Sequence, residues 1–478
     1  MGTALLIVLL ATISGCKVGP DYVAPQSRLP SAFAQARIGI APSMDNPADL
    51  AEWWKVFNDP LLSQLIRDAA SANLDIRLAH ARLGEAKARR RFAESALWPG
   101  LDATGSHARS RLGKNTTAGR QLTAAGQPLD NPSHLAALDM SWELDFFGGA
   151  RRNVEAAQAD LDASVEQSRY TLVSVLAEIG LSYLDLRGAQ KQLSLAQEHL
   201  QTQEQTLGLI RDRAKAGLAN ELDAARAEAQ AAATRALIPP LEEAQARSIH
   251  RLSVLSGKEP SELIAQMAPS AQIPSAAPRV PIGLPSELLL QRPDLRRAER
   301  QIAAATARIG VATADLFPKF NLTAASGFQS VEAGDFLEGG SRFWSLGPTL
   351  RWPIFNAGRI RQNIRVQSAR KEQALLHYEQ TLLKALEEVE NSLVSFGREQ
   401  IRLEALADSE KASRRAVALA TDRYRGGLIG FLDVLEAERA LLAVQHDAAQ
   451  CQRQLGQNLI RLYKGLGGGW QQIEKQIQ

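Results

Sequence analysis

Residues 172–207, LVSVLAEIGLSYLDLRGAQKQLSLAQEHLQTQEQTL, place Leu172, Ile179, Leu186, Leu193, Leu200 and Leu207 seven positions apart. Seven-residue apolar spacing marks a helix packed in a left-handed coiled coil. Adding 210 to each position gives Leu382, Val389, Phe396, Leu403, Glu410 and Val417, so five of the six stay apolar in one register. The same offset superimposes Asp212-Arg213, Gly217-Leu218, Leu222-Asp223 and Ala227-Glu228 on Asp422-Arg423, Gly427-Leu428, Leu432-Asp433 and Ala437-Glu438. Upstream, an offset of 219 maps Asp75, Ala79, Ala86, Ala93 and Pro99 onto Asp294, Ala298, Ala305, Ala312 and Pro318. The chain is therefore a tandem of two homologous halves.

Each half reads in one order. A helical segment (73–97; 294–317) stops at a proline, and segments of period two follow. Leu138, Met140, Trp142, Leu144 and Phe146 alternate with Asp139, Ser141, Glu143 and Asp145, a strand with one apolar and one strongly polar face. The second half gives Leu346, Leu350, Trp352 and Ile354 against Ser345, Gly347, Thr349 and Arg351, and weaker alternation runs through 101–110 and 320–331. That makes four strands in two hairpins, with loops at 113–132 and 334–341. A long heptad helix follows each hairpin. From Arg151 to about Gly217 no proline occurs, and 1.5 Å per residue extends such a helix to roughly 100 Å, a rod. A glycine turn (Gly217; Gly426-Gly427) reverses the chain into a return helix, 221–256 and 431–464, of which only the first is interrupted, by Pro239-Pro240.

The expected organisation is residues 1–15 a signal peptide, 16–58 a lipid-anchored strap, and 59–259 the first repeat. The first repeat has strands near 98–110 and 134–147 and a coiled coil near 149–256. A proline-rich connector, 260–285, leads to the second repeat, 286–470, with strands near 318–331 and 343–355 and a coiled coil near 357–464; 471–478 is a tail.

Composition restricts the function classes. The 478 residues carry 55 Lys+Arg against 52 Asp+Glu, a net charge of +3, which argues against a nucleic-acid binder built on phosphate neutralisation. Aromatics are only 5%, fitting long helices better than a large compact core. The two cysteines, Cys16 and Cys451, fall in no zinc or disulfide spacing, and the seven histidines show no i, i+4 pairing with each other. Neither a Walker loop nor GxSxG occurs, so no catalytic residue, metal site or bound cofactor is expected.

The apolar run 1–13 is too short to span a bilayer and ends in Ile13-Ser14-Gly15-Cys16. It resembles the bacterial lipobox, which implies cleavage before Cys16 and a diacylglyceryl plus N-acyl lipid on that residue. Lys17 after the cysteine resembles the outer-membrane-bound class of lipoproteins.

Four amphipathic strands of about ten residues have the length of tilted transmembrane strands, and Trp142, Trp344 and Trp352 suit an interfacial girdle. Four strands cannot close a barrel, and free edges are forbidden in hydrocarbon. Two copies would give eight strands and a filled interior, whereas three give twelve and a passage, so a homotrimer is expected. A small soluble β-domain on coiled coils is the alternative that the alternation alone leaves open.

Cys16 with Lys17-Val18-Gly19-Pro20-Asp21-Tyr22, Trp53-Trp54, Asn58-Asp59-Pro60-Leu61 and Trp142-Glu143-Leu144-Asp145-Phe146-Phe147-Gly148 resemble the outer membrane factor family of TolC type, its OprM/NodT-like lipoproteins in particular. Gly283-Leu284-Pro285-Ser286, Gln291-Arg292-Pro293-Asp294-Leu295-Arg296, Phe355-Asn356-Ala357-Gly358-Arg359 and Tyr424-Arg425-Gly426-Gly427 extend the resemblance over nearly the whole mature chain. It implies a mainly α TolC-like fold, a long coiled-coil α-barrel with four strands per protomer of a trimeric 12-stranded β-barrel. It further implies a lipid-anchored outer-membrane exit channel of a tripartite RND-type efflux pump, reaching into the periplasm and engaging a periplasmic adaptor and an inner-membrane transporter. A type I protein secretion duct and a non-conducting lipid-anchored scaffold are the alternatives. At the tip of the second hairpin the resemblance makes Leu432, Asp433 and Glu436 the periplasmic gate and Arg423, Tyr424 and Arg439 its latch. Asp433 and Glu436, three apart, share a helix face; a solvated acidic face with a Glu436–Arg439 pair is the plainer reading. In the barrel, Asp139, Glu143, Asp145 and Arg351 would face the lumen, or one or two of them satisfy loop or neighbouring-strand groups near its base. Cys451 reads as a reduced packing residue.

Overall fold

In a computed structural model, residues 17–26, 30, 33, 41–42, 48–217, 220–275, 279–280 and 289–471 are described. The proposed signal peptide and Cys16 lie outside them. The principal elements are α1 (Pro60–Ala72), α2 (Leu74–Ser95), β1 (Gly100–Arg111), α3 (Thr117–Ala124), β2 (Asp130–Leu144), α4 (Gly149–Lys215), α5 (Glu221–Ala236) and α6 (Ile238–Leu255), followed by α7 (Pro293–Ala314), β3 (Lys319–Ser330), β4 (Arg342–Arg351), α8 (Arg359–Arg425) and α9 (Phe431–Gly465).

The duplication is visible in the boundaries. Shifting α2 and β1 by 219 gives the limits of α7 and β3, and shifting α4 by 210 gives those of α8. Three left-handed glycines also recur at 210: Gly148 and Gly358, Gly217 and Gly427, Gly257 and Gly467. At Gly257 a side chain is excluded twice over, by φ +72° and by the Ala72 carbonyl oxygen, 2.5 Å from where a Cβ would sit. The first return helix breaks at Leu237 into α5 and α6, just ahead of Pro239-Pro240, while its twin α9 runs unbroken. One expectation is revised: the loop at 113–132 contains α3, whose cap Thr116 accepts from the Gly119 N–H at 3.0 Å, and the following strand starts early, at Asp130.

The chain divides into two compact units, Met1–Pro25, Gly84–Ser164 and Ala298–His377 in one and Gln26–Leu83, Val165–Arg297 and Tyr378–Gln478 in the other. In the first, an antiparallel sheet runs in the order β1-β2-β3-β4, leaving β1 and β4 as edges. Small residues let its helices approach closely, with Ala156, Ala159, Ala163, Ala298, Ala305 and Ala312 all buried. The strap at 17–22 is held by a buried arginine. The Arg152 guanidinium donates to the Val18 and Gly19 carbonyls at 3.2 and 3.3 Å and to Asp21 at 2.7 Å. Gly19 lies against Gly310, so close that a Cβ would come within 2.5 Å of the Gly310 Cα.

The second unit is organised around Trp53, 1% exposed, stacked on Tyr463 at 6.2 Å. Asp59 caps α1 through the N–H groups of Leu61 and Leu62, with Pro60 at the first helical position. Its other oxygen accepts from the Tyr183 hydroxyl at 2.6 Å, which in turn accepts from Arg187. Arg292 donates to the Gly465 carbonyl at 2.6 Å and pairs with Asp294 and Glu388. The motif residues Asn58-Asp59-Pro60 and Arg292-Pro293-Asp294 thus act as caps and clamps. Among the described residues no helix is long and apolar enough to cross a membrane.

Candidate functional site

The strand registers define two faces, because directly opposed residues in an antiparallel pair point the same way. One face joins Leu101 to Met140, Ala324 and Leu346, then Trp142 to Leu322 and Pro348, then Leu144 to Phe320 and Leu350. It is apolar yet open. Leu101, Trp344, Leu346 and Leu350 are each more than 60% exposed. The other face joins Asp102 to Asp139, Glu143 to Asn321 and Thr349, and Lys319 to Arg351. Here Asp139 accepts from the Thr104 hydroxyl at 2.6 Å and Lys319 pairs with Asp315 at 3.0 Å.

Asp139, Glu143 and Arg351 therefore share the polar face. Asp145 does not join them. Strand β2 ends at Leu144, and the Asp145 carboxylate accepts from the backbone N–H groups of Ala150 and Arg151 and from the Arg151 side chain, at 2.9–3.1 Å. A carboxylate beside the exposed N–H groups of a helix start is held by those donors and by the helix dipole. Asp145 is accordingly a loop group beyond the strand, the alternative the sequence leaves open for one or two of these residues. Asp102, Lys319 and Asn321 were missed as members of the polar face, although the weak alternation after each proline carried them.

In the second unit, α8 reverses into α9 at a glycine turn. The Leu428 N–H donates to the Arg423 carbonyl at 2.9 Å and the Gly427 N–H to that of Tyr424 at 3.0 Å, with Gly427 at φ +72°, a left-handed helix stop. Beneath it lies an apolar cluster of Leu207, Ile210, Ala227, Phe431, Val434 and Leu435. Tyr424 meets Phe431 edge to face at 5.7 Å, and the Arg213 guanidinium lies 5.3 Å from the Tyr424 ring centre. Burial pushes the Tyr424 hydroxyl above its ordinary pKa. Arg439 reaches across to α5, donating to Gln230 Oε1 at 2.6 Å; no Glu436–Arg439 ion pair forms among the described residues. Leu432, Asp433 and Glu436 are exposed, as is Arg423, whose backbone carbonyl serves the turn. Arg213 and Gln230 were not anticipated; the latter follows only from the packing of α5 on α9. Among the described residues no group of three or more His, Cys, Asp or Glu is placed to hold a metal ion.

The outer membrane efflux protein family matches residues 65–258 and 284–468, one block in each half of the duplication. The chain belongs to that family. It is similar to nodulation protein T of Rhizobium leguminosarum bv. trifolii, 32% identical over 97% of this chain and 96% of the relative. Similar identity, 32% over 99% of this chain and 98% of the relative, relates it to the toluene efflux pump outer membrane protein TtgF of Pseudomonas putida. The solved outer-membrane channel OprN covers 95% of this chain with all of its own length, at TM-score 0.88 and 36% identity. The fold is that of the TolC-like channels. This outer membrane efflux protein is a passive exit conduit in the outer membrane of a Gram-negative bacterium and not an enzyme.

Proposed function

We propose that three copies of this chain close one twelve-stranded barrel, anchored by a lipid on Cys16, and that the duct is gated where α8 turns into α9. The observation that carries the reading is the four-stranded sheet with two free edges and an open apolar face. In hydrocarbon each unpaired N–H and C=O costs several kcal/mol, by order of magnitude. Pairing β4 of one copy with β1 of the next removes every edge, turns the face of Trp344 and Leu346 to lipid, and leaves Asp139, Glu143 and Arg351 lining a wet passage.

At the tip, exposed Asp433 and Glu436 from three copies form a ring of carboxylates. Such a ring attracts cations and repels anions, and Leu432 beside it narrows the aperture. Arg439 on Gln230 and Tyr424 on Phe431 hold each hairpin in the closed packing. A periplasmic adaptor bound to the tips, driven by an inner-membrane transporter, opens it. Purified protein in planar bilayers tests this: wild type should conduct weakly and Asp433→Ala with Glu436→Ala strongly. Silence of the double variant, or a monomer by native mass spectrometry, would overturn the reading. Mass spectrometry of the mature N-terminus tests the anchor, which an unacylated chain beginning before Cys16 would refute.

A further inference from the structure

Helix α9 turns Phe431, Val434, Leu435, Glu438, Leu441 and Gln445 inward, the i, i+3, i+4, i+7 face. Glu438 is the one charged group in that row and is 7% exposed. Among the described residues no hydrogen bond or ion pair engages its carboxyl. It lines a cavity of about 130 Å3 between α4, α8 and α9, large enough to admit water. Gln203 lines the same cavity at 4% exposure, and both its amide oxygen and its amide nitrogen lack a partner.

The charged neighbours are committed elsewhere. His199 on α4 shares a 2.6 Å hydrogen bond with Gln445 Oε1, and Gln445 donates to Glu410 at 3.0 Å. Arg414 on α8 pairs with that same Glu410 at 2.7 Å. Glu198 is exposed. From α5, Arg235 pairs with Glu204 on α4, and Gln230 takes Arg439. Glu438 therefore shares its cavity with an unpaired primary amide, that of Gln203, which needs both a donor and an acceptor. A neutral carboxylic acid can both donate and accept, whereas a carboxylate only accepts.

We propose that this cavity is a proton-binding site: the packed tip holds Glu438 as the neutral acid, and loss of its proton loosens the seam that Phe431 and Leu435 continue. Burial alone holds the Glu438 carboxyl above its ordinary value. The sign follows. Packing is fully favourable below the ordinary pKa of 4.5 and weakens as pH rises through the raised value. The twin position in the first half behaves differently, since Glu228 is exposed and paired with Arg211 at 2.9 Å. The link to gating rests on the tip being the gate; the proton site does not.

Hydrogen exchange on the full chain in detergent, from about pH 5 to about pH 8 and corrected for intrinsic rates, tests the site. Wild type should show opening of segments 198–207 and 431–445 rising by up to about tenfold for each pH unit between the ordinary and the raised value and levelling off above it. Glu438→Gln, the shape of the neutral acid, should abolish that rise, and Glu438→Met should do the same if the glutamine variant misfolds. Glu228→Gln should keep it. A flat wild-type profile, or full pH dependence in both Glu438 variants, would overturn the proposal. So would protection at high pH restored by sodium but not by choline chloride, which would make the ligand a metal cation. Bilayer conductance separates the gating link: exchange that depends on Glu438 while conductance stays pH-independent upholds the proton site and refutes its link to gating, whereas silence of the Asp433→Ala, Glu436→Ala variant refutes the tip as the gate.

Discussion

The indole N–H of Trp142 donates to the Leu97 carbonyl at 3.0 Å, and that of Trp352 donates to the Leu316 carbonyl at the same distance. Each carbonyl lies two residues before the proline that ends a helix, Pro99 or Pro318. The indole thus ties the base of a returning strand to the end of the helix preceding the hairpin. Trp142→Phe and Trp352→Phe each keep most of the ring and remove the bond. Each should cost about 1 kcal/mol, the usual net worth of one hydrogen bond, read as a lowered unfolding temperature. Equal effects are expected, and a silent Trp142→Phe would remove the tie from the list of what holds the sheet.

Arg152 is a second fixed point. Its side chain is 2% exposed and satisfies the strap at three places as well as Glu155. Arg152→Lys retains the charge but loses the planar fork that reaches several acceptors at once. Residues 17–22 should then become cleavable by added protease while the Trp53 core stays intact. Equal resistance in both proteins would show that the strap is held by other contacts.

Phe431, 2% exposed, is the largest side chain of the tip cluster. Phe431→Ala should destabilise the tip by about 3 kcal/mol, as large-to-small core changes do. Hydrogen exchange should rise over 207–213 and 420–435 and not around Tyr463. Arg439→Ala should act in the same direction but less, by about 1 kcal/mol, because it leaves the buried Gln230 oxygen without its donor. A double-mutant cycle with Gln230→Ala should recover most of that loss as coupling.

Cys451 is buried, and its thiol donates to Glu399 Oε2 at 2.9 Å. Burial, then that bond, pushes the thiol up to about 12 from 9.0. A rise of that size lowers the thiolate fraction roughly a thousandfold, and thiolate is the reactive form. Labelling by a maleimide near pH 8 should be negligible in the folded protein and quick in denaturant. Rapid labelling of the native chain would place Cys451 in contact with solvent.

Much of this architecture was legible because the two halves annotate each other. Offsets of 219 and 210 read from Asp75, Pro99 and Gly217 are the offsets of the helix, strand and glycine boundaries themselves. For Asp145 the sequence leaves two readings open because alternation carries no stop signal, so a carboxylate one residue past the strand looks like its next member. Glu438 escaped for the opposite reason: its spacing from Phe431 and Leu435 is that of a seam residue, but its charge argues for the surface. Arg152 and Gln230 could not be found at all, since their partners lie 131 and 209 positions away.

The hairpin loops are one place where the repeats part company, 112–129 with its helix α3 against the shorter 331–341. In the proposed closed trimer six hairpins would meet at the barrel mouth, tall ones alternating with low ones. The rim would then be three-cornered, although the strands beneath would repeat six times. A binder that recognises α3 would meet three identical posts on that trimer, so its stoichiometry on the assembled channel would count the subunits from outside.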